Sequence, residues 1–220
     1  MVLDAPQLAE VDLFRTLSAD ALARVIAAST ERALRRGDVL FDEGDDADEL
    51  FVVERGRIAI ANRSPDGRES VVALMEPGDL FGDMAMFDEG GRSAQARALE
   101  TSLVHAIPFA SIRGELDADP KLLWSVVELL VQRLRSMDNA LADAVFLDVT
   151  GRTAKRLLEL AGDADEFQLP VTQEELAGLV GASRERVNKA LASFIRLGWV
   201  SQQDRRYRIT DREQLRRRAR

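Results

Sequence analysis

The chain has 220 residues, a formal net charge of −8, no cysteine and one histidine, His105. These counts exclude disulfides, cysteine nucleophiles, and iron–sulfur or multi-histidine metal sites, so we expect no metal. No apolar run is long enough for a membrane span, and the N-terminus lacks a basic secretory start, which predicts a cytoplasmic protein without a membrane partner. An enzyme is the least favoured class, because there is no histidine pair, P-loop or dinucleotide fingerprint.

Charge is divided unevenly along the chain. Residues 150–220 contain 15 Lys+Arg and 10 Asp+Glu, whereas residues 1–149 contain 15 and 28. A basic C-terminal third after an acidic body predicts that phosphate groups are attracted to the C-terminal part alone.

The first half of the chain reads as one helix followed by short strands. Ser18 to Ser29 has an amphipathic pattern behind a serine cap, which predicts a helix. From residue 33 to residue 108 the pattern changes to alternating apolar runs separated by turn residues, among them Ser64-Pro65-Asp66-Gly67. These runs predict an antiparallel sandwich or roll: VLFDEG, LFVVERG, RIAIANR, ESVVALM, SAQARAL and SLVHAIPF. His105 lies in the last run and is predicted to be structural.

The loop from Leu80 to Ala94 has the residues of a phosphate site. Gly82 opens a short helical turn that continues through Asp83, Met84 and Ala85, and backbone N–H groups at a helix start favour an anion. Ten residues after Gly82, Arg92 and Ser93 offer a guanidinium fork and a hydroxyl donor. The alternative is an ordinary loop with a surface arginine.

Asp119-Pro120 predicts the start of a long helix. Its apolar positions are separated by alternating steps of four and three residues, which is the period of a coiled-coil seam. The seam consists of Leu123, Val127, Leu130, Leu134, Met137, Leu141 and Ala144. This pattern favours a second copy of the same helix, giving a two-fold homodimer, over packing within its own domain. Asp148 then predicts the cap of a further helix, roughly Thr150 to Leu160.

The segment from Thr172 to Trp199 predicts two short helices joined by a tight turn. Small Ala177, turn-forming Gly181 and apolar Val187 have the spacing of a DNA-binding helix-turn-helix. The second helix begins at Ser183 and presents polar side chains suited to base edges and phosphates: Arg184, Glu185, Asn188 and Lys189. The alternative is a helical hairpin with a charged outer face.

A wing is predicted after the helix-turn-helix. Trp199-Val200-Ser201 and Tyr207-Arg208-Ile209 have the pattern of two strands around a charged turn. Arg205 and Arg206 of that turn can reach phosphate or the minor groove, and the final LRRRAR extends the positive field.

Three segments, FGDMAMFDEGGRSA, FLDVTGR and VTQEELAGLVGASRERVNKAL, occur in this order. With them the chain resembles the Crp/Fnr family of transcription regulators over nearly its full length. The resemblance implies an α+β fold with an N-terminal jelly-roll-like antiparallel β-roll that binds a cyclic nucleotide (1–116), a dimerisation helix (117–147) and a winged helix-turn-helix (148–220). It also implies a homodimer that binds a palindromic operator in double-stranded DNA, with RNA polymerase as a partner.

The resemblance further implies a cyclic nucleotide effector, with cAMP expected first and cGMP second. Gly82 and Ala85 would supply the loop backbone, next to Met84, and Arg92 and Ser93 would hold the cyclic phosphate. Val72 and Ala73 would line the pocket. Asp83 stands where cAMP-binding members have a glutamate for the ribose 2′-hydroxyl, and it is one methylene shorter. Arg133 matches an arginine of the long helix.

The base-recognition positions depart from the family pattern. Met137 and Asp138 stand where cAMP-responsive members carry Thr-Ser or Thr-Asn pairs, and Asp138 can only accept, from adenine N6 or from guanine N1 and N2. The DNA-reading positions agree better, since Arg184, Glu185 and Lys189 match residues that contact base edges, and Thr172 and Ser183 match phosphate contacts.

Three hypotheses remain open from the sequence. The chain is a cyclic-nucleotide-gated dimeric regulator, or a ligand-independent DNA-binding regulator with a degenerate pocket. The third hypothesis is a nucleotide-binding signalling module with an incidental helical hairpin.

Overall fold

The computed structural model describes residues 5–11, 13–63, 69–88, 90–204 and 206–220. The expected turn at residues 64–67 and the wing residue Arg205 lie outside the described residues. The chain divides into two compact units, the first formed by Met1–Arg68 with Val72–Leu134 and the second by Glu69–Val71 with Arg135–Arg220. The domain boundaries expected from the sequence stay a prediction.

The first unit opens with helices α1 (Ala5–Glu10) and α2 (Ala19–Ala28) and continues into strands. Ser18 caps α2 as expected, since its side chain accepts a hydrogen bond from the backbone N–H of Ala21. The strands are β1 (Thr30–Leu34), β2 (Val39–Phe41), β3 (Glu49–Arg55), β4 (Ile58–Arg63), β5 (Glu69–Met75), β6 (Leu80–Phe81), β7 (Gln95–Ala98) and β8 (Ser102–Pro108). A short helix α3 (Ala85–Asp88) separates β6 from β7, and α4 (Phe109–Ala118) follows β8.

These strands form two four-stranded sheets, ordered β1-β8-β3-β6 and β2-β7-β4-β5. The strand registers are antiparallel, which confirms the predicted roll. The expected runs contain six of the strands, but β1 and β6 lie outside them. β1 is an edge strand whose side chains are nearly all exposed, so it has no alternating pattern, and β6 has only two residues.

Alternation along β3 and β8 creates two separate cores in this unit. Side chains such as Phe51, Val53 and Val104 point between the two sheets. Their neighbours Leu50, Val52 and Ile107 point to the other face of the first sheet, where the helices pack. The helical residues of this second core include Leu8, Phe14, Leu22, Val25, Phe109, Ile112 and Val126.

The long helix begins as the sequence predicts, with one difference in its first turn. Asp119 accepts a hydrogen bond from the N–H of Lys121, but Pro120–Leu122 form a 3-10 turn before helix α5 (Leu123–Phe146). The apolar seam on α5 is exposed in the single chain, with exposed fractions of 58% at Leu134 and 68% at Met137. This exposure argues against the alternative that the seam packs within its own chain.

The second unit is built from helices around a small sheet. After α5 come α6 (Val149–Ala161), β9 (Glu166–Gln168), α7 (Gln173–Val180), α8 (Arg184–Arg196), β10 (Val200–Gln203), β11 (Arg206–Ile209) and α9 (Arg212–Arg218). The predicted wing strands pair as β10 and β11, and β9 adds an unexpected third strand in the order β10-β11-β9. Among the described residues, no helix has the combination of length and apolar character needed to cross a membrane.

Candidate functional site

The loop after β6 wraps around the guanidinium of Arg92. Arg92 Nη1 donates a 2.7 Å hydrogen bond to the carbonyl oxygen of Gly82. Gly82 has φ +76°, and a Cβ at this position would lie 2.8 Å from Arg92 Nη1 and 3.1 Å from the ring of Phe51. The left-handed backbone conformation therefore favours glycine, and a larger residue would also displace the Arg92 guanidinium.

Arg92 is held in an aromatic and largely buried environment. Its guanidinium carbon lies 4.3 Å from the ring centroid of Phe41 and 5.2 Å from that of Phe51, within cation–π range. Burial lowers the pKa of Arg92 from its ordinary value, while the nearby carboxylates of Asp48 and Glu49 act in the opposite direction. Arginine remains charged under such a shift, so the loop holds a buried cation.

Asp83, the next residue after Gly82, is fully buried. Its Oδ1 lies 2.8 Å from Nη1 of Arg133, which also donates through Nη2 to the carbonyl oxygen of Leu80 at 3.1 Å. The structure thus brings together two residues that the sequence placed in the same pocket. It also shows that the short carboxylate of Asp83 pairs with α5 through Arg133.

The buried side chains of Arg92 and Asp83 both have polar atoms without a hydrogen-bond partner among the described residues. Oδ1 of Asp83 is engaged by Arg133 at 2.8 Å, whereas Oδ2 of Asp83 and Nε of Arg92 have no hydrogen-bond partner among the described residues. Buried polar atoms are rarely left without partners. One donor on Arg92 and one acceptor on Asp83 are suited to a ligand that carries both an anionic oxygen and a hydroxyl.

Some of the remaining residues expected in the pocket lie on the same loop as Arg92, whereas the role of the others stays a prediction. Ala85 is buried at the start of α3, and the Ser93 hydroxyl donates to the Met84 sulfur at 3.5 Å, so both lie on the same loop as Arg92. Val72 and Ala73 lie on β5, where Val72 is exposed, and their place in the pocket stays a prediction. Met137 and Asp138 are exposed on α5, and their role in base recognition also stays a prediction.

The helix-turn-helix is built as the spacing predicts. Thr172 and Glu175 form a reciprocal capping box at the start of α7, which ends at Gly181 in a left-handed conformation. Ala177 and Val187 are both buried between the helices. The Ser183 hydroxyl oxygen accepts from the N–H of Arg186 and caps α8. Thr172 and Ser183 therefore already have capping roles, and their hydroxyl hydrogens are what remains to donate to a phosphate.

The outer face of α8 presents a row of polar side chains. Arg184 is exposed and has no ion pair among the described residues, whereas Lys189 Nζ lies 2.7 Å from Glu185 Oε1. That pair is exposed on both sides and contributes little to stability. Asn188 is only partly exposed, and its Oδ1 is buried without a hydrogen bond among the described residues.

The basic surface of this unit is smaller than its sequence suggests. Arg206 on β11 is exposed, with Glu166 only at the 4.0 Å limit of an ion pair. In contrast, Arg218 Nη2 lies 2.5 Å from the Asp148 carboxylate, and Arg217 pairs with Glu213. The arginines of the C-terminal LRRRAR are thus partly neutralised by intramolecular pairs.

A cavity of about 250 Å³ lies where the start of α6 meets the middle of α8. Thr150, Arg186, Lys189 and Ser193 are among its lining residues. The Asp148 carboxylate also lines this cavity and already accepts from the Gly151 N–H at the start of α6, so acidic and basic side chains share the lining.

Comparison with known proteins agrees with this architecture. The family model of the cyclic nucleotide-binding domain matches residues 31–119, and that of the Crp-like helix-turn-helix domain matches residues 151–218. The second match argues against the hypothesis that the helical hairpin is incidental.

Relatives are similar over most of their length. A Mycobacterium tuberculosis protein described as a CRP-like cAMP-activated global transcriptional regulator is 37% identical over 220 residues, which cover 97% of this chain and 98% of that protein. The cAMP-activated global transcriptional regulator Vfr of Pseudomonas aeruginosa is 31% identical, with 81% and 88% coverage. The solved structure of CLP from Xanthomonas campestris, described as c-di-GMP responsive, has a TM-score of 0.75 at 26% identity, with 87% and 99% coverage. These relatives are regulators rather than enzymes, and the chain belongs to the Crp/Fnr family of DNA-binding transcription regulators.

Proposed function

We propose that this regulator is a homodimer whose binding to a palindromic operator is controlled by a cyclic nucleotide in the Leu80–Ala94 loop. The observation that supports this most directly is the unused hydrogen-bonding capacity of Arg92 and Asp83, both buried beside Gly82. A cyclic phosphate oxygen accepts from the arginine, and a ribose hydroxyl donates to the carboxylate.

The first candidate effector is cAMP and the second is cGMP. The M. tuberculosis relative, which spans nearly the whole chain, is described as cAMP-activated. Asp138 is an acceptor that suits either adenine N6 or guanine N1 and N2. Because the Xanthomonas structure is described as c-di-GMP responsive, cyclic dinucleotides belong in the same screen.

The exposed seam of α5 supports a homodimer. Seven apolar positions from Leu123 to Ala144 repeat with the period of a coiled coil, and all of them are exposed in the single chain. A two-fold axis along this helix pairs the same seam of two copies. Dimerisation then provides two α8 helices, which read half-sites about one turn of DNA, ~34 Å, apart.

The ion pair between Asp83 and Arg133 gives the effector a route to α5. A ribose hydroxyl that donates to Asp83 shares the carboxylate with Arg133, so binding changes a contact of the helix that carries the seam. An effector needs to prefer one helix arrangement by only about 1–3 kcal/mol to act as an allosteric ligand.

Base reading is assigned to the outer face of α8. Arg184 suits guanine O6 and N7, Glu185 suits cytosine N4, and Lys189 suits guanine or phosphate. Arg206 on the wing is exposed and supplies a contact to the DNA backbone. RNA polymerase is the protein partner that a DNA-bound regulator of this family needs in order to change transcription.

The test has two stages. A thermal-shift screen of cAMP, cGMP and cyclic dinucleotides identifies the effector, since a ligand that binds only the folded chain raises its melting temperature. Fluorescence anisotropy then measures the affinity for a palindromic duplex selected from random sequence, with and without that nucleotide. We expect a tenfold or greater change in the apparent Kd, corresponding to ~1.4 kcal/mol of coupling. Nucleotide binding without any effect on DNA affinity would remove the gating proposal.

A ligand-independent regulator is the second candidate, and one observation favours it. Asp83 already has an ionic partner in Arg133, so its charge is compensated without an effector. In this alternative no nucleotide binds in calorimetry, and the chain without ligand binds its palindrome at full affinity. Sedimentation of the ligand-free chain as a dimer is expected in both cases, so the nucleotide titration is what separates them.

A further inference from the structure

Three side chains of types that bind metals, from three neighbouring strands, meet on the first sheet, and none of them belongs to the Leu80–Ala94 loop. They are Glu31 on β1, His105 on β8 and Glu54 on β3. His105 Nε2 lies 2.6 Å from Glu54 Oε2, and one ligand atom from each of the three residues lies within 4.8 Å of the others.

The strand register explains why these residues meet. Glu31 is directly opposite His105 in the antiparallel pair of β1 and β8, where facing side chains lie about 5 Å apart at Cβ. On the other side of β8, His105 is opposite Val52, and the register shifts between Val53 and Arg55. Glu54 lies at this irregularity, and bulges are known to re-aim side chains. The cluster therefore depends on the central position of β8 between β1 and β3.

The burial of the three residues differs in a way that suits an ion site. The His105 side chain is 2% exposed and that of Glu54 is 8% exposed, whereas Glu31 is exposed to solvent. Buried ionisable groups are normally paired or bound to a metal. Glu31 has no ion pair with a lysine or arginine of the described residues, so its carboxylate is available at the open side of the cluster.

The chemistry of the donor set matches zinc. One imidazole nitrogen and two carboxylate oxygens are a donor set for Zn²⁺, with water at the fourth position of a tetrahedral site. Ligand atoms ~2.1 Å from a tetrahedral ion lie roughly 3.4 Å from each other. Reaching that geometry requires the 2.6 Å pair of His105 and Glu54 to open slightly and the exposed Glu31 to move inward. With a neutral imidazole, the two carboxylates balance the charge of a divalent cation.

We propose that Glu31, Glu54 and His105 form a zinc site that binds one ion per chain and links strands β1, β8 and β3. The sequence led us to expect no metal, because cysteine is absent and there is one histidine. Those counts exclude cysteine-rich and multi-histidine sites, but they do not exclude one histidine with two glutamates from separate strands. The consequence of binding is a stabilised edge strand, because β1 is the outer strand of its sheet.

The experiment uses the full-length chain after removal of metals with a chelator. Calorimetry with Zn²⁺ should give one site per chain, and Zn²⁺ should raise the melting temperature while Mg²⁺ at the same concentration does not. Co²⁺ in place of Zn²⁺ should produce the visible absorption of a four-coordinate site. The decisive variant is Glu31→Gln, because Glu31 is exposed and its substitution leaves the cores unchanged. We expect its Zn²⁺ affinity to fall about tenfold or more.

A matched control is Asp117→Asn, which removes another exposed carboxylate of the same unit, on α4. It should bind Zn²⁺ like the unmodified chain. His105→Gln should lose binding as well, and if that variant does not fold, Glu31→Gln still decides. The proposal is overturned if the chain takes up no Zn²⁺ stoichiometrically, or if Glu31→Gln binds as tightly as Asp117→Asn.

Discussion

Replacing Gly82 by alanine tests the proposal that the Leu80–Ala94 loop binds the nucleotide. The added Cβ would lie 2.8 Å from Arg92 Nη1 and 3.1 Å from a ring carbon of Phe51. The arginine is the more movable of the two neighbours, so it must shift. The shift breaks the 2.7 Å hydrogen bond that Nη1 donates to the Gly82 carbonyl. The guanidinium then no longer points where the proposed cyclic phosphate binds.

The structure sets the expected size of two separate effects. Alanine at φ +76° is strained, which lowers the free energy of unfolding by about 1–2 kcal/mol. The displaced guanidinium loses a charge-assisted hydrogen bond to the phosphate, valued at roughly 1.5–3 kcal/mol. The effector Kd should therefore rise about 10- to 150-fold.

A second glycine separates strain from displacement. Gly78 has φ +94° but has nothing within 4 Å of an added Cβ. Gly78→Ala should lose a similar amount of stability in chemical denaturation yet retain effector affinity in calorimetry. If Gly82→Ala binds the effector like the unmodified chain, or if both variants lose affinity equally, the assignment of Arg92 to the phosphate is wrong.

Three further predictions concern the seam, the DNA-reading helix and the cap of α6. Leu134→Glu places charge in the exposed seam, and the loss of two leucine contacts, ~3 kcal/mol or more per dimer, should weaken dimerisation at least about a hundredfold in sedimentation. Arg184→Ala with Lys189→Ala should lower operator affinity at least about tenfold in anisotropy. Asp148 has a pKa below its ordinary value because it accepts from the Gly151 N–H and pairs with Arg218. The stabilisation that ionised Asp148 provides is fully present above the ordinary pKa of an aspartate and is lost as the pH falls through the lowered pKa. Asp148→Asn should therefore reduce the loss of stability at acid pH in denaturation profiles.

Each of these three predictions has a control variant that changes charge at another position. Arg135→Glu alters the outer side of α5 and should remain dimeric, so equal dissociation of both variants would contradict the seam. Arg35→Ala with Arg36→Ala removes the same charge from the first unit and should leave operator affinity intact. Asp163 is an exposed loop residue, and Asp163→Asn should still show the loss of stability at acid pH that Asp148→Asn reduces.

The sequence predicted those parts of the fold that depend on local pattern. The capping residues Ser18, Asp148 and Ser183 begin helices because their side chains act on the next turn. The same holds for Gly181, whose left-handed conformation ends α7. Edge strand β1 and the short strands β6 and β9 were missed, because their pairing is set by distant partners and leaves no period in their own residues.

The residues of the candidate sites likewise divide into those predicted from local sequence and those brought together only by contacts between distant segments. Gly82 and Arg92 were predicted together, because they lie only ten residues apart in one loop of the sequence. The pairing of Asp83 with Arg133 required the helix to be placed against the loop. The cluster around His105 was not predicted, because it depends on a strand register and on the irregularity at Glu54.

The pair of Asp83 and Arg133 also explains how a short acid is accommodated at this buried position. A buried carboxylate needs a compensating charge, and the arginine from α5 supplies it at 2.8 Å. This contact engages Oδ1 of Asp83, whereas Oδ2 has no hydrogen-bond partner among the described residues. The arginine therefore compensates the buried charge in the chain without ligand and leaves one carboxylate oxygen of Asp83 as an acceptor for the proposed ribose hydroxyl. If an effector binds the loop as proposed, Arg133 is the residue that connects the occupied loop to the helix that carries the seam.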